Sequence, residues 1–226
     1  MGIGGTRHSL RDFDPHEVAR LETRMWRSYY DHCSLRLFAD LVTLLRQQYH
    51  LPFLRACAGA YHAARGAVVF ERGHNRAEHL LVPPDVVRYY KAIRSTSAKD
   101  FPVQQVSEAE LEWWIVHRQR DQHAAGDLAH ALAVEQAELY HQPESDFAEN
   151  ASARADAMRL RDRGTAAGGV SEADWGSHRR HVGVFLEFVA PRRQSISPLR
   201  TAKRTSSLML CTLSFSMMRP RWASTV

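Results

Sequence analysis

Lysine is almost missing from this 226-residue chain: Lys91, Lys99 and Lys203 stand against 27 arginines. With so much alanine alongside, the imbalance reads as GC-rich coding bias and is weak evidence for phosphate binding. Cysteine is scarce too. Cys33, Cys57 and Cys211 are odd in number and share no CxxC spacing. That argues against a disulfide framework or a cysteine zinc site, and agrees with a reducing compartment. No apolar run approaches the ~18 residues of a membrane helix. The start, MGIGGTRHS, lacks the basic and apolar regions of a signal peptide, so the expected address is the cytoplasm. Gly2 and Thr6 match an N-myristoylation pattern, which a glycine-rich start satisfies easily. Walker, GxGxxG, GxSxG and HExxH motifs are all missing, which removes the commonest nucleotide, hydrolase and zinc-protease signatures. Long alternating runs and solenoid-period repeats are absent as well, leaving little to build a sheet or an array from.

What is present is ordinary in bulk and uneven in placement. Hydrophobic residues make up 44% and charged residues 24%, the balance of a soluble globular domain with a real core and room for an appendage. After Glu187 there is no acidic residue but seven basic ones: Arg192, Arg193, Arg200, Lys203, Arg204, Arg219 and Arg221. Residues 1–187 then hold 23 basic against 25 acidic side chains, so the basic character belongs to the tail and the body shows no nucleic-acid footprint. From about Pro191 the chain is rich in Ser, Arg and Pro, with an apolar island at 208–218. This composition favours a disordered extension, native or created by a frameshift, over a functional basic tail.

Helical signals fill the body. Asp14-Pro15-His16-Glu17 combines an N-cap acid, proline at the first helical position and glutamate at the third. A clean stripe of Leu37, Phe38, Leu41, Val42, Leu45 and Tyr49 marks a second helix, and a third runs from Pro52 to about Gly73. Pro83-Pro84 restarts the chain for a short helix to Arg94. Ser107 with Glu110 reads as a capping box opening a helix to about Arg120. Asp127–His141 follows, and 144–163 carries a thin stripe beside many arginines, so RADAMRLRDRG is expected to be a solvated helix with i, i+4 pairs. Gly164 to Gly169 is a linker before a last helix capped by Ser171. The expected architecture is an all-α bundle of six to eight short-to-medium helices with a basic, disordered C-terminal tail. Its parts are a flexible N-terminus over 1–13, a helical domain over 14–163, a linker and last helix over 164–190, and the tail over 191–226.

Polar residues inside apolar stripes are the informative ones. Glu22, Glu71, Glu110 and Glu135 each fall on the inward arc of a different helix, and His117 shares the arc between Trp113 and Trp114. Carboxylate-bridged di-iron or di-manganese centres want such an arrangement, with histidines from ExxH motifs. Glu71-Arg-Gly-His74 and Glu138-Leu-Tyr-His141 superficially resemble the ferritin-like pattern. The metal set on this reading is Glu22, Glu71, Glu110, Glu135, His117 and His141, with Fe or Mn as cofactor. Against it, Gly73 predicts a helix end inside the first motif, and Glu138 and His141 fall toward a stripe edge. The competing reading pairs the glutamates with arginines such as Arg36, Arg65 and Arg118, and then no cofactor is expected. Glu112 is expected to face solvent.

Trp26, Tyr29, Tyr30, Tyr61, Tyr89, Tyr90, Trp113 and Trp114 supply either core or the lining of a ligand pocket. The sequence therefore points first to a non-catalytic cytoplasmic helical interaction or scaffold protein. Its partners would be proteins or copies of itself, met through exposed aromatic faces, with no nucleic acid and no membrane span. A di-metal carboxylate protein and a small-ligand-binding bundle are the alternatives.

Overall fold

Asp14 opens the first helix as its neighbours require: its Oδ1 accepts from the backbone N–H groups of His16 and Glu17 at 3.0 and 3.3 Å. A computed structural model describes residues 7–79 and 81–190. They form eight helices and one short turn: α1 (Pro15–Tyr30), α2 (Ser34–Tyr49), α3 (Phe53–Arg72), the four-residue α4 (Arg76–His79), α5 (Pro83–Arg94), α6 (Val103–Arg118), α7 (Asp127–Tyr140), α8 (Ala148–Ala166) and α9 (Glu172–Val189). Among the described residues there is no strand, and no helix is long and apolar enough to cross a membrane. The expected basic tail over 191–226 and the Gly2–Thr6 pattern lie outside the described residues.

Neighbours in sequence are neighbours in space. From α1 each long helix packs against the next, with α3 meeting α5 across the short turn, and α9 returns to pack on α1 as well as α8. The eight helices thus close into a ring. Connections this short favour such local packing. Two apolar clusters fill it. One gathers Val18, Leu21, Leu132, Met158 and Leu186 from α1, α7, α8 and α9, with Phe147 from the turn before α8. The other gathers Leu45, Ala60, Val86, Ile93, Val106 and Ile115 from α2, α3, α5 and α6. Leu41 and Tyr140 touch both.

Four sequence expectations need correction. Residues 7–13 are tied down rather than flexible: His8 N–H donates to Thr96 O at 2.7 Å, Arg11 Nε donates to Val189 O at 2.7 Å, and Phe13 is buried. The Ser107–Glu110 capping box does not form, because α6 has already begun behind Pro102, whose ring fixes φ and supplies no N–H. Ser107 instead donates to Val103 O at 2.6 Å from a fully buried position. The Gly164 boundary is passed, since α8 runs on to Ala166, and α9 is a full 18-residue helix of the same ring. Nor is α8 solvated. Asn150, Ala151, Ala155, Ala157, Met158 and Arg161 are all buried along it.

Gly164 is needed for close approach. A Cβ built there would meet Val170 Cα at 2.9 Å, a backbone atom that cannot swing aside. Gly176 in α9 has only the far end of Arg180, at 3.8 Å. Gly164→Ala is expected to lower unfolding free energy by about 1–3 kcal/mol through overpacking. Gly176→Ala should raise it by about 0.5–1 kcal/mol through helix propensity. Urea unfolding of the two variants measures both signs.

Candidate functional site

Three of the sequence-identified glutamates do turn inward, and they meet donors rather than one another's oxygens alone. Glu22 on α1 is 7% exposed and faces Arg154 of α8: Nη2 lies 3.3 Å from its Oε1, and Nη1 donates to its Oε2 at 3.4 Å. Trp26, one turn on, donates its indole N–H to Glu22 at 3.4 Å. Glu110 on α6 accepts the indole N–H of Trp113 at 3.0 Å and of Trp114 at 2.9 Å. The two tryptophans pack against different apolar clusters, so Glu110 marks the seam between them.

Glu135 on α7 is 4% exposed and accepts a bond from Gln136. The Tyr90 hydroxyl lies 2.9 Å from Glu110 Oε2 and 3.0 Å from Glu135 Oε1. One phenol proton cannot serve both carboxylates. Burial, together with the neighbouring Glu110 carboxylate, pushes Glu135 up to about 7. A protonated Glu135 donates to Tyr90 Oη while Tyr90 donates to Glu110, so that both carboxyls and the phenol are paired. Burial opposes the Arg154 charge, but Glu22, Glu135 and Glu110 outweigh it and hold the guanidinium above its ordinary range. Burial also raises the phenols of Tyr49, Tyr89, Tyr90 and Tyr140 around this network.

The remaining sequence candidates sit elsewhere. Glu71 ends α3 half-buried, its backbone carbonyl accepting from Arg118 at 3.0 Å. His141 is an exposed left-handed cap of α7 with Nε2 3.1 Å from Asp100 O. His117 pairs with Asp162 at 3.0 Å. Glu112 meets Arg76 at 2.8 Å with 44% of its side chain exposed. Of the three arginines expected as partners, Arg36 is exposed and Arg65 faces Asp85 at 3.3 Å. The third, Arg118, stacks over Phe70 as it binds Glu71 O. Sequence reasoning missed Arg154 and Arg161. Arg161 is 3% exposed and lies 3.8 Å over the Trp26 ring, a cation–π contact that offsets part of the cost of its burial, which still lowers its pKa. The alanines of α8 at 151, 155 and 157 were the available signal, since small residues let a neighbouring helix come close enough to cover long arginine stems.

His117 and Asp162 also line a cleft of about 350 Å³ between α6, the loop before α7, and α8. Arg120, Arg159, Arg163 and His123 line it too, over apolar contacts from Val116 and Leu128. Arg120 pairs with Asp162 Oδ2 at 2.8 Å, and Arg159 is held by Asp156 at 2.7 Å. Asp162 Oδ1 is buried without a hydrogen-bond partner. The lining therefore carries three guanidiniums and two imidazoles, with Arg159 also donating to Ala125 O at 2.6 Å.

A carboxyl whose pKa is raised on folding stabilises most when protonated in both states, so its contribution is complete below about 4.5 and lost as pH rises through about 7. Glu135→Gln keeps the donor toward Tyr90 and the acceptor toward Gln136 at every pH. The variant is expected to match the parent near pH 4.5 and exceed it at pH 8 by about 3 kcal/mol, at 1.36 kcal/mol per pKa unit. Buried His178 works the other way. Burial, then Arg161 and Arg154, lowers it to about 2, so its contribution is lost as pH falls below 6.5. Urea unfolding of parent and variant from pH 4 to 8 gives both slopes.

Comparison of the chain with protein-family models, with curated proteins and with solved structures finds no match.

Proposed function

We propose that the protein is a non-catalytic helical binding module whose cleft between α6, the α7 approach and α8 takes a small anionic molecule. The convergence of Arg120, Arg159 and Arg163 on one cleft carries the reading. Guanidinium forks match phosphate and carboxylate oxygens with paired, charge-assisted hydrogen bonds. Val116 and Leu128 supply the apolar contact typical of a ligand site, and about 350 Å³ suits a molecule the size of a sugar phosphate. The inward glutamates fit a structural role on this reading, with Arg154, the indoles and Tyr90 as their partners.

Thermal-shift and calorimetric titrations with ribose 5-phosphate, ribose and inorganic phosphate test it. Ribose 5-phosphate is expected to raise the unfolding midpoint and ribose to leave it unchanged. Arg163→Glu, at an exposed position, should weaken the binding at least about tenfold, or 1.4 kcal/mol. Equal shifts with ribose, no shift with either phosphate, or unchanged binding in the variant would overturn the proposal. Stoichiometric iron or manganese in the purified protein, lost in Glu22→Ala and Glu135→Ala, would carry the di-metal reading instead.

A further inference from the structure

Away from the interior network and the cleft, His8, Asp12 and His50 each bring a donor atom to within 4.8 Å of the other two. The geometry points to a site there for one divalent transition-metal ion. All three donors come from chain that the fold holds in place. Both backbone groups of His8 are engaged, its N–H on Thr96 O at 2.7 Å and its carbonyl by Ala98 N–H at 2.6 Å. Asp12 closes a turn on Ser9 O at 3.0 Å, between buried Leu10 and Phe13. His50 is the left-handed C-cap of α2, with φ +54°, and precedes Leu51, which is 2% exposed. A site built on restrained backbone needs little reorganisation to close on an ion.

The side chains face one another. The imidazole rings of His8 and His50 stack at 4.2 Å between centroids and 27° between planes. His50 Nε2 lies 4.0 Å from Asp12 Oδ2 and donates to Asp12 O at 2.5 Å, a bond that an ion held on Nε2 would replace. Arg11, which precedes Asp12, turns its guanidinium to Val189 O and Gln142 Oε1. Two imidazoles and one carboxylate suit zinc, cobalt or nickel. Calcium and magnesium favour mostly oxygen donors. Three protein donors leave one tetrahedral position for water. An ion held here ties the N-terminal arm to the end of α2, beside the turn where Thr96 Oγ1 donates to Tyr49 O at 2.9 Å.

The test uses the full chain after chelator dialysis, titrated with Co²⁺ and with Zn²⁺. Wild type is expected to bind one Co²⁺ with an imidazole–carboxylate visible spectrum and no thiolate charge-transfer band, and to gain thermal stability with Zn²⁺. His8→Gln and His50→Asn should each weaken binding at least about tenfold and abolish the thermal gain. Asparagine tolerates the left-handed backbone at position 50, so that variant keeps its cap. His141→Gln, at an exposed position outside the cluster, should bind as wild type does. Absence of stoichiometric binding to wild type, a thiolate band, or undiminished binding in both cluster variants overturns the proposal.

Discussion

Closing eight helices into a ring brings polar side chains from several helices into one interior, and Arg154 is where their charges are reconciled. Glu22 faces its guanidinium directly, and Glu110 and Glu135 add to the field that keeps it charged. Removing two charges from water costs several kcal/mol per ion, and attraction offsets that only where the remaining polar atoms are also satisfied. Here the additional donors are aromatic. Indole N–H groups from Trp26, Trp113 and Trp114 and the Tyr90 hydroxyl reach the carboxylates while their rings fill the surrounding core. One set of side chains thus supplies both the apolar packing and the polar satisfaction.

That arrangement also sets what the interior is suited to do. Glu110 has three donors within 3.0 Å, and buried Glu135 is hydrogen-bonded to the Tyr90 phenol. Groups so fully engaged hold a fold together. The open chemistry lies at the margins, where helices end. The cationic cleft forms where α6 gives way to a loop and α8 passes beneath it. The His8–Asp12–His50 cluster forms where the N-terminal arm crosses the end of α2. Loop and helix-terminal residues placed by a rigid scaffold are the usual carriers of binding.

Much of the scaffold was legible in the residues themselves. Asp14-Pro15 and Ser171 mark helix starts, prolines 83 and 143 mark breaks, and 3.6-residue stripes locate α1 to α3 and α7. Glu22 and Glu135 stood out because a carboxylate in an apolar stripe is costly, and both are buried. The Ser107 capping box failed because its spacing is common and its meaning depends on where the helix has already begun. His117 falls on the apolar arc of α6 by periodicity, yet it is half-buried at the cleft, and its neighbour is Asp162 on α8, 45 residues away.

The sequence by itself determined the helices and which of their faces seek the interior, because periodicity and capping are local and depend on residues within a turn or two. Only the tertiary structure decided the partners. An arginine is long, and whether its head reaches water or a buried carboxylate depends on which helix lies across from it. Residues 154–161 looked like solvent-facing charge until ring closure packed α7 and α9 against α8 and brought Glu22 and Trp26 of α1 within reach of Arg154 and Arg161. His8, Asp12 and His50 likewise share no motif, since they meet through the crossing of two segments about 40 residues apart.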